Sequence, residues 1–206
     1  TRIEALHPSL EGVVSLNVEQ ASAKGVAEHC DLVFLALPHR ASMGFAKEVL
    51  AQGVKVVDLS ADYRLELETY EAHYCEHEDK EHLDSSVYAL IEYYREALKS
   101  TNIAAGPGCY PTATLLGILP FIPYLDTTIP LFVDAKSGVS GAGKKLSQTS
   151  HFVTINDNIF AYNPLKHRHA PEIAEKIEKI HGVKMQVNFV PHLIPATRGE
   201  LISCYA

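Results

Sequence analysis

Cysteine 109 stands in Gly106-Pro107-Gly108-Cys109-Tyr110-Pro111-Thr112, between an apolar strand expected over Asn102 to Ala105 and a helix expected over Thr112 to Leu119. The glycines let the backbone bend sharply and approach a ligand closely. Pro111 suits a first helical turn, where its missing N–H leaves no hydrogen bond unmade. The emerging helix aims free N–H groups at the sulfur, which lowers a thiol pKa and can hold an oxyanion. On this reading Cys109 is a reactive thiolate. The competing reading is a small buried hydrophobe, the usual fate of a free cysteine, and spacing alone does not choose between them.

Other residues supply matching chemistry. His167 and His169 lie two apart, so on an extended segment both face one way, and histidine is the side chain that exchanges protons most readily near neutral pH. Glu172 opens the next helix, where it could orient an imidazole; the bland alternative is a polar lead-in with Pro171 in the first turn. Arg64 and Arg198 carry planar forks that match carboxylate and phosphate, although a given arginine is more often a surface ion pair. The stretch Ser137 to Gly143 holds three glycines and two serines, offering close backbone approach and hydroxyl donors, or simply a flexible turn. His73, Cys75, His77 and His82 lie among Glu71, Glu76, Glu78, Asp79, Lys80 and Glu81. They read as a solvated polar loop or helix face, and no metal site is expected.

The elements that must position these groups change character along the chain. Leu32 to Leu37 is a continuous apolar run, Met43 to Leu50 has helical spacing before Gly53, and Val54 to Leu59 reads as the next strand. Strand, helix, strand is the unit of a parallel sheet, whose ligands sit in loops at the carboxyl ends of the strands. Pro38-His39, Ser60 to Arg64 and Gly106 to Cys109 all fall at such ends and form one candidate crevice. Later, Ile129 to Ala135, Lys184 to Val190 and Leu201 to Tyr205 read as longer strands and Pro171 to His181 as a helix. The fold expected is α/β, with a partial Rossmann-type nucleotide domain over 1–109 followed by an α+β substrate and dimerisation domain with a mixed sheet over 110–206.

At 206 residues and 47% hydrophobic content, the chain can bury one large or two small cores. Its formal net charge of −7, without a lysine or arginine run, argues against nucleic-acid and anionic-membrane partners. No apolar run approaches the ~20 residues that span a bilayer, no signal-peptide pattern opens the chain, and a cytoplasmic location is expected. The four cysteines, Cys30, Cys75, Cys109 and Cys204, lack paired spacing, so neither a zinc ribbon nor a disulfide framework is indicated.

The Gly106 to Thr112 block resembles the active-site signature of the N-acetyl-gamma-glutamyl-phosphate reductase family, NADPH-dependent acyl-phosphate reductases of arginine biosynthesis. Asp31 to His39, Val56 to Leu65, Asp134 to Lys144, His167 to Glu172 and Pro195 to Gly199 resemble that family in its order. The resemblance implies a Cys109 thioester, proton transfer by His169 and secondarily His167, and substrate binding by Arg64, Arg198, Ser140 and Glu172. It implies an NADP site at Leu37, Pro38, His39, Ser60, Gly108, Gly138 and Gly141, a small acyl phosphate as substrate, and a homo-oligomer, dimer or tetramer. The family also carries a Gly-rich diphosphate turn before the region matched here and a helix after it, so the chain is expected to be an internal portion of such an enzyme. Val87 to Arg95 departs from the family's Tyr-Gly-Leu-Pro-Glu block with Ala89 and Ile91, and Lys144 stands where an arginine is common. These departures bear on loop geometry and substrate choice. Aspartyl and aminoadipyl phosphate are alternative substrates, although the aspartate-semialdehyde enzymes usually place asparagine where Gly108 precedes Cys109. A noncatalytic domain that keeps the fold is the alternative from another class.

Overall fold

The computed structural model describes residues 1–143 and 145–206; Lys144 lies outside the described residues. The helices are α1 (Ile3–Leu6), α2 (Ala23–Ala27), α3 (Ala41–Leu50), α4 (Leu67–His73), α5 (Lys80–Ser85), α6 (Ile91–Leu98), α7 (Cys109–Ile118), α8 (Phe152–Ile155) and α9 (His169–His181). The strands are β1 (Leu32–Leu35), β2 (Lys55–Asp58), β3 (Val87–Tyr88), β4 (Ile103–Ala105), β5 (Leu131–Ser137), β6 (Phe160–Ala161), β7 (Val187–Leu193) and β8 (Glu200–Tyr205). Among the described residues no helix is long and apolar enough to cross a membrane.

Two sheets result. The first is wholly parallel in the order β1-β2-β4-β3. Its strands are short apolar runs that return through helices, and Met43, Ala46 and Val49 of α3 pack with Leu35, Val56 and Ile103 in one core. Such side chains stabilise by about 1.5–3 kcal/mol each when fully buried. The second sheet runs β6-β7-β5-β8, with β5 and β7 parallel and the outer pairs antiparallel. Leu131, Val133 and Ala135 of β5 point into a second core with Phe189 of β7, Leu115 of α7, and Ile173 and Ile177 of α9.

Strands β5 and β7 run later than the sequence pattern suggests, whereas β8 matches it to within one residue. The expected strand ended at Val190, but the Pro191 carbonyl accepts the Tyr162 N–H (3.0 Å) and β7 continues to Leu193. Both α7 and α9 begin earlier than expected, at Cys109 and His169. The reactive side chains therefore sit in first helical turns, where backbone N–H groups are free.

The His73 to His82 segment also differs from the expected solvated face. His77 and Asp79 are buried. His77 Nε2 meets the Asp62 carbonyl (2.7 Å), while Asp79 accepts from the Tyr63 hydroxyl (2.7 Å) and contacts His82 Nδ1 (2.8 Å). Burial among hydrogen-bond partners makes this cluster structural. Among the described residues no three His, Cys, Asp or Glu side chains converge as metal ligands.

Candidate active site

Gly108 caps α7 in an extended conformation and hands the chain to Cys109, a residue that keeps surface exposure while its sulfur is partly covered. The N–H groups of Cys109 and Tyr110 point at the sulfur and lower its pKa, as the sequence led one to expect. The net effect is opposite. Burial of the sulfur and the Glu200 carboxylate, within hydrogen-bonding reach, outweigh those two donors and push the thiol up to about 12. That direction runs against the thiolate the turn suggests.

The two histidines meet edge to face at the same helix mouth. Their ring centroids are 4.6 Å apart, and both stand edge-on to the Tyr110 ring, at 5.9 and 5.8 Å. His167 Nδ1 accepts the His169 N–H (3.2 Å), which places the His167 proton on Nε2. Burial, reinforced by neighbouring positive charge, pushes His167 down to about 4 and His169 to about 3, so both rings are neutral. His169 Nδ1 is buried without a hydrogen-bond partner. Gly108 is required by this packing: a β-carbon there would lie 2.7 Å from His169 Nε2 and 3.0 Å from Pro111 Cδ.

Glu172 does not touch an imidazole. Its buried carboxylate accepts the Gly108 N–H (2.9 Å) and the Tyr88 hydroxyl (2.7 Å) and faces the Arg64 guanidinium at 3.6 Å. Arg64 in turn donates to the Gly106 and Leu59 carbonyls (2.6 and 2.8 Å). The pair clamps the turn that carries Cys109 and joins the parallel sheet to α9. Ser60 is likewise spent internally, donating to Asp58 (2.7 Å) and accepting from the Asp62 N–H (3.0 Å). His39 Nδ1 accepts from Ala61 N–H (3.0 Å), which leaves its Nε2 proton free.

On the other side, Gly138 and Ser140 donate their N–H groups to Gly199 and Thr197. A β-carbon on Gly138 would meet Arg198 N at 2.8 Å and Ala196 O at 2.9 Å, so loop-on-loop packing already demands that glycine. At Gly141 the clash would be with Ser137 Oγ at 2.9 Å. Arg198 is exposed beside this loop. Leu37 and Leu59 stay exposed at the carboxyl ends of β1 and β2, an apolar surface that fits one face of a flat ring such as nicotinamide.

Sequence reasoning missed four residues here. Tyr162 meets the Tyr110 hydroxyl (2.9 Å), and Glu200 faces Cys109. Lys166 and Arg168 line a cavity of about 230 Å³ with His39, Arg64, His167 and His169. No carboxylate among the described residues pairs with Lys166 or Arg168; Arg168 lies 4.5 Å over the Tyr74 ring. The signal was available, since both cations interleave the histidine pair.

Two family sequence patterns fit the chain end to end, the semialdehyde dehydrogenase NAD binding domain over residues 1–101 and the semialdehyde dehydrogenase dimerisation domain over 109–206. The chain belongs to the semialdehyde dehydrogenase family. It is 83% identical over 206 residues to the N-acetyl-gamma-glutamyl-phosphate reductase of Sulfurovum sp. strain NBC37-1, covering all of this chain and 62% of that protein. It is 64% identical over 205 residues to the same-named protein of Wolinella succinogenes, covering all of this chain and 61% of the relative. The chain thus spans about three-fifths of these relatives' length. Its fold is similar to aspartate semialdehyde dehydrogenase II from Vibrio cholerae, with TM-score 0.65 and 16% identity over 92% of this chain and 58% of that one.

Proposed function

We propose that the protein reduces N-acetyl-gamma-glutamyl phosphate to the 5-semialdehyde and phosphate, with NADPH as hydride donor and Cys109 as nucleophile. The observation that carries the reading is the Cys109 thiol at the mouth of α7, with two peptide N–H groups aimed at it and the neutral His167–His169 pair alongside. The identities of 83% and 64% to reductases of that name support the substrate class.

Cys109 attacks the acyl carbon and expels phosphate, leaving a thioester. The N–H groups at the start of α7 stabilise the tetrahedral oxyanion, a contribution of roughly 3–4 kcal/mol for a well-placed donor. Neutral His169 exchanges a proton at the acyl oxygen, with His167 holding its backbone in place. Lys166 and Arg168 supply unspent positive charge for the substrate's anionic end, with Arg198 and Ser140 on the opposite wall. Arg64 and Glu172 act through the turn they clamp. The nicotinamide, when bound, supplies hydride to the thioester carbon; Leu37, Pro38 and His39 would hold its ring, facing the Gly138 and Gly141 loop. Residues 1–109 then form the nucleotide part and 110–206 the substrate part.

The working state is a cytoplasmic homo-oligomer, dimer or tetramer, acting on a small molecule rather than nucleic acid or membrane. Phe132 and Tyr205, exposed cross-strand neighbours on the second sheet, support a subunit contact there. NADPH oxidation by the full-length protein, compared for N-acetylglutamyl, aminoadipyl and aspartyl phosphates, tests the assignment. Highest kcat/KM with N-acetylglutamyl phosphate is expected; preference for another acyl phosphate replaces the substrate, and no turnover with any of them overturns the reading.

A further inference from the structure

The imidazole read as the proton carrier has no hydrogen bond to orient it. A working histidine is ordinarily held in place by a partner at its second ring nitrogen. His169 Nδ1 is buried without one, and its Nε2 lies against Gly108. Ring packing takes the place of that partner. The His169 ring meets Tyr110 edge-on at 5.8 Å and His167 at 4.6 Å between centroids, separations at which aromatic rings attract edge to face. His167 stands in turn among Tyr110 (5.9 Å), Tyr162 (5.7 Å) and Phe189 (5.3 Å).

Edge contacts alone leave a ring free to tilt unless its far end is held. For Tyr110 the far end is held: its hydroxyl bonds the Tyr162 hydroxyl (2.9 Å) and lies 3.5 Å from the His192 carbonyl of β7, while its ring packs against Phe189 at 5.3 Å. Tyr162 directly follows β6, and its N–H donates to the Pro191 carbonyl (3.0 Å), so the second sheet fixes its backbone. Tyr110 is buried and belongs to the same helical turn as Cys109; Tyr162 is half-buried. Tyr162 thus reaches the histidine pair by two routes, the Tyr110 ring and its own edge contact with His167.

We propose that Tyr162 is a positioning residue of the reaction, its hydroxyl holding the Tyr110 ring at the angle that presents His169 to the acyl group on Cys109. The inference rests on the reading of Cys109 as nucleophile and His169 as proton carrier. Because Tyr110 shares a helical turn with the nucleophile, one pair of hydroxyls sets the spacing between sulfur and imidazole. The second sheet, whose Pro191 and His192 carbonyls meet the two tyrosines, thereby governs chemistry at the head of α7.

A double-mutant cycle in the full-length protein separates positioning from general support. Tyr162→Phe keeps the ring and removes the hydroxyl. With N-acetylglutamyl phosphate and NADPH it should lower kcat roughly tenfold through misplacement of the imidazole, with KM within about twofold. In a His169→Asn background the same change should have no further effect on kcat, because the group it positions is gone. Nitrogen-15 labelling of histidine supplies a readout free of turnover: the His169 ring signals should be single and sharp in the wild type, and shifted and broadened in Tyr162→Phe. Tyr110→Phe, which removes the other hydroxyl, should match Tyr162→Phe in kcat and spectrum. Should Tyr162→Phe not fold, Tyr110→Phe carries the same cycle. An equal loss of kcat in the wild-type and His169→Asn backgrounds would make the hydroxyl a general support, and unchanged kcat with an unchanged imidazole spectrum would leave it without a role; either outcome overturns the proposal. A His169→Asn variant that keeps wild-type kcat defeats the underlying reading of that histidine, whereas the spectra still report separately whether Tyr162 orients its ring.

Discussion

The Asp58 to Arg64 loop and the mouth of α7 are both dense in polar side chains, but they differ in how those groups are spent. In the loop, Asp58 accepts from Ser42 and Ser60, and Asp62 accepts from Met43 N–H (3.0 Å), Arg40 N–H (2.9 Å) and the Tyr70 hydroxyl (2.8 Å). Those bonds hold Arg40 at a φ of 73°, which a non-glycine residue seldom adopts unaided. At the α7 mouth, Cys109 is exposed, His169 Nδ1 has no partner, and Lys166 and Arg168 face no carboxylate among the described residues. Saturated polar groups build the platform; unsaturated ones remain available to a substrate. Mutations in the two regions should therefore separate into effects on stability and effects on turnover.

The largest effect belongs to Cys109→Ser. Turnover should fall by about 10⁴-fold, since the nucleophile is lost, with the urea midpoint nearly unchanged. Asp62→Ala comes next, in the other region: the buried Met43 N–H and Tyr70 hydroxyl lose their acceptor, at roughly 1–3 kcal/mol for each group left unsatisfied, visible as a lower urea midpoint. If instead Asp62→Ala cost only kcat, the contrast between the regions would break. His169→Asn should lower kcat by about 10²-fold and exceed His167→Asn, because His169 carries the unpartnered nitrogen; the reverse ranking exchanges their roles. Gly108→Ala tests the boundary between regions, as its methyl group would displace the His169 ring. It should cost about 1–3 kcal/mol of stability and lower kcat as well.

The smallest effect is a pH dependence that belongs to the histidine pair. Both have folded pKa values, about 4 and about 3, below the ordinary 6.5. Below pH 6.5 the unfolded chain binds protons that the folded one refuses, so stability falls as pH drops from 6.5 toward 4 and is unaffected above 7. Thermal melts at pH 7.5 and 5.5 should show this loss, and the His167→Asn, His169→Asn double variant should flatten it. An equal loss in the double variant would assign the effect elsewhere.

Much of this was legible from sequence. The parallel strands announce themselves as short apolar runs ending at turn residues, and the Cys109 turn through its glycines and prolines. Local patterns carry such features because each is decided within a few residues. The α7 mouth was legible in its parts but not in its charge. Burial of the sulfur and the Glu200 charge, which raise the thiol, come from parts of the chain far from Cys109 in sequence. Arg64 and Glu172 read as substrate-binding through the family resemblance; their backbone partners at Gly106 and Gly108 exist only in the folded chain. The one local clue to Glu200 was a charge at the head of an otherwise apolar strand, directly after a glycine turn.

The central claim is that Cys109 is the residue that takes the acyl group. Intact-protein mass spectrometry of the full-length protein mixed with N-acetylglutamyl phosphate, without NADPH, tests it directly because the thioester has no hydride to consume it. The account predicts one added N-acetylglutamyl mass, mapped to Cys109, released by hydroxylamine and absent from Cys109→Ser. An adduct on another residue, or no adduct on a folded protein that turns over once NADPH is added, would contradict it.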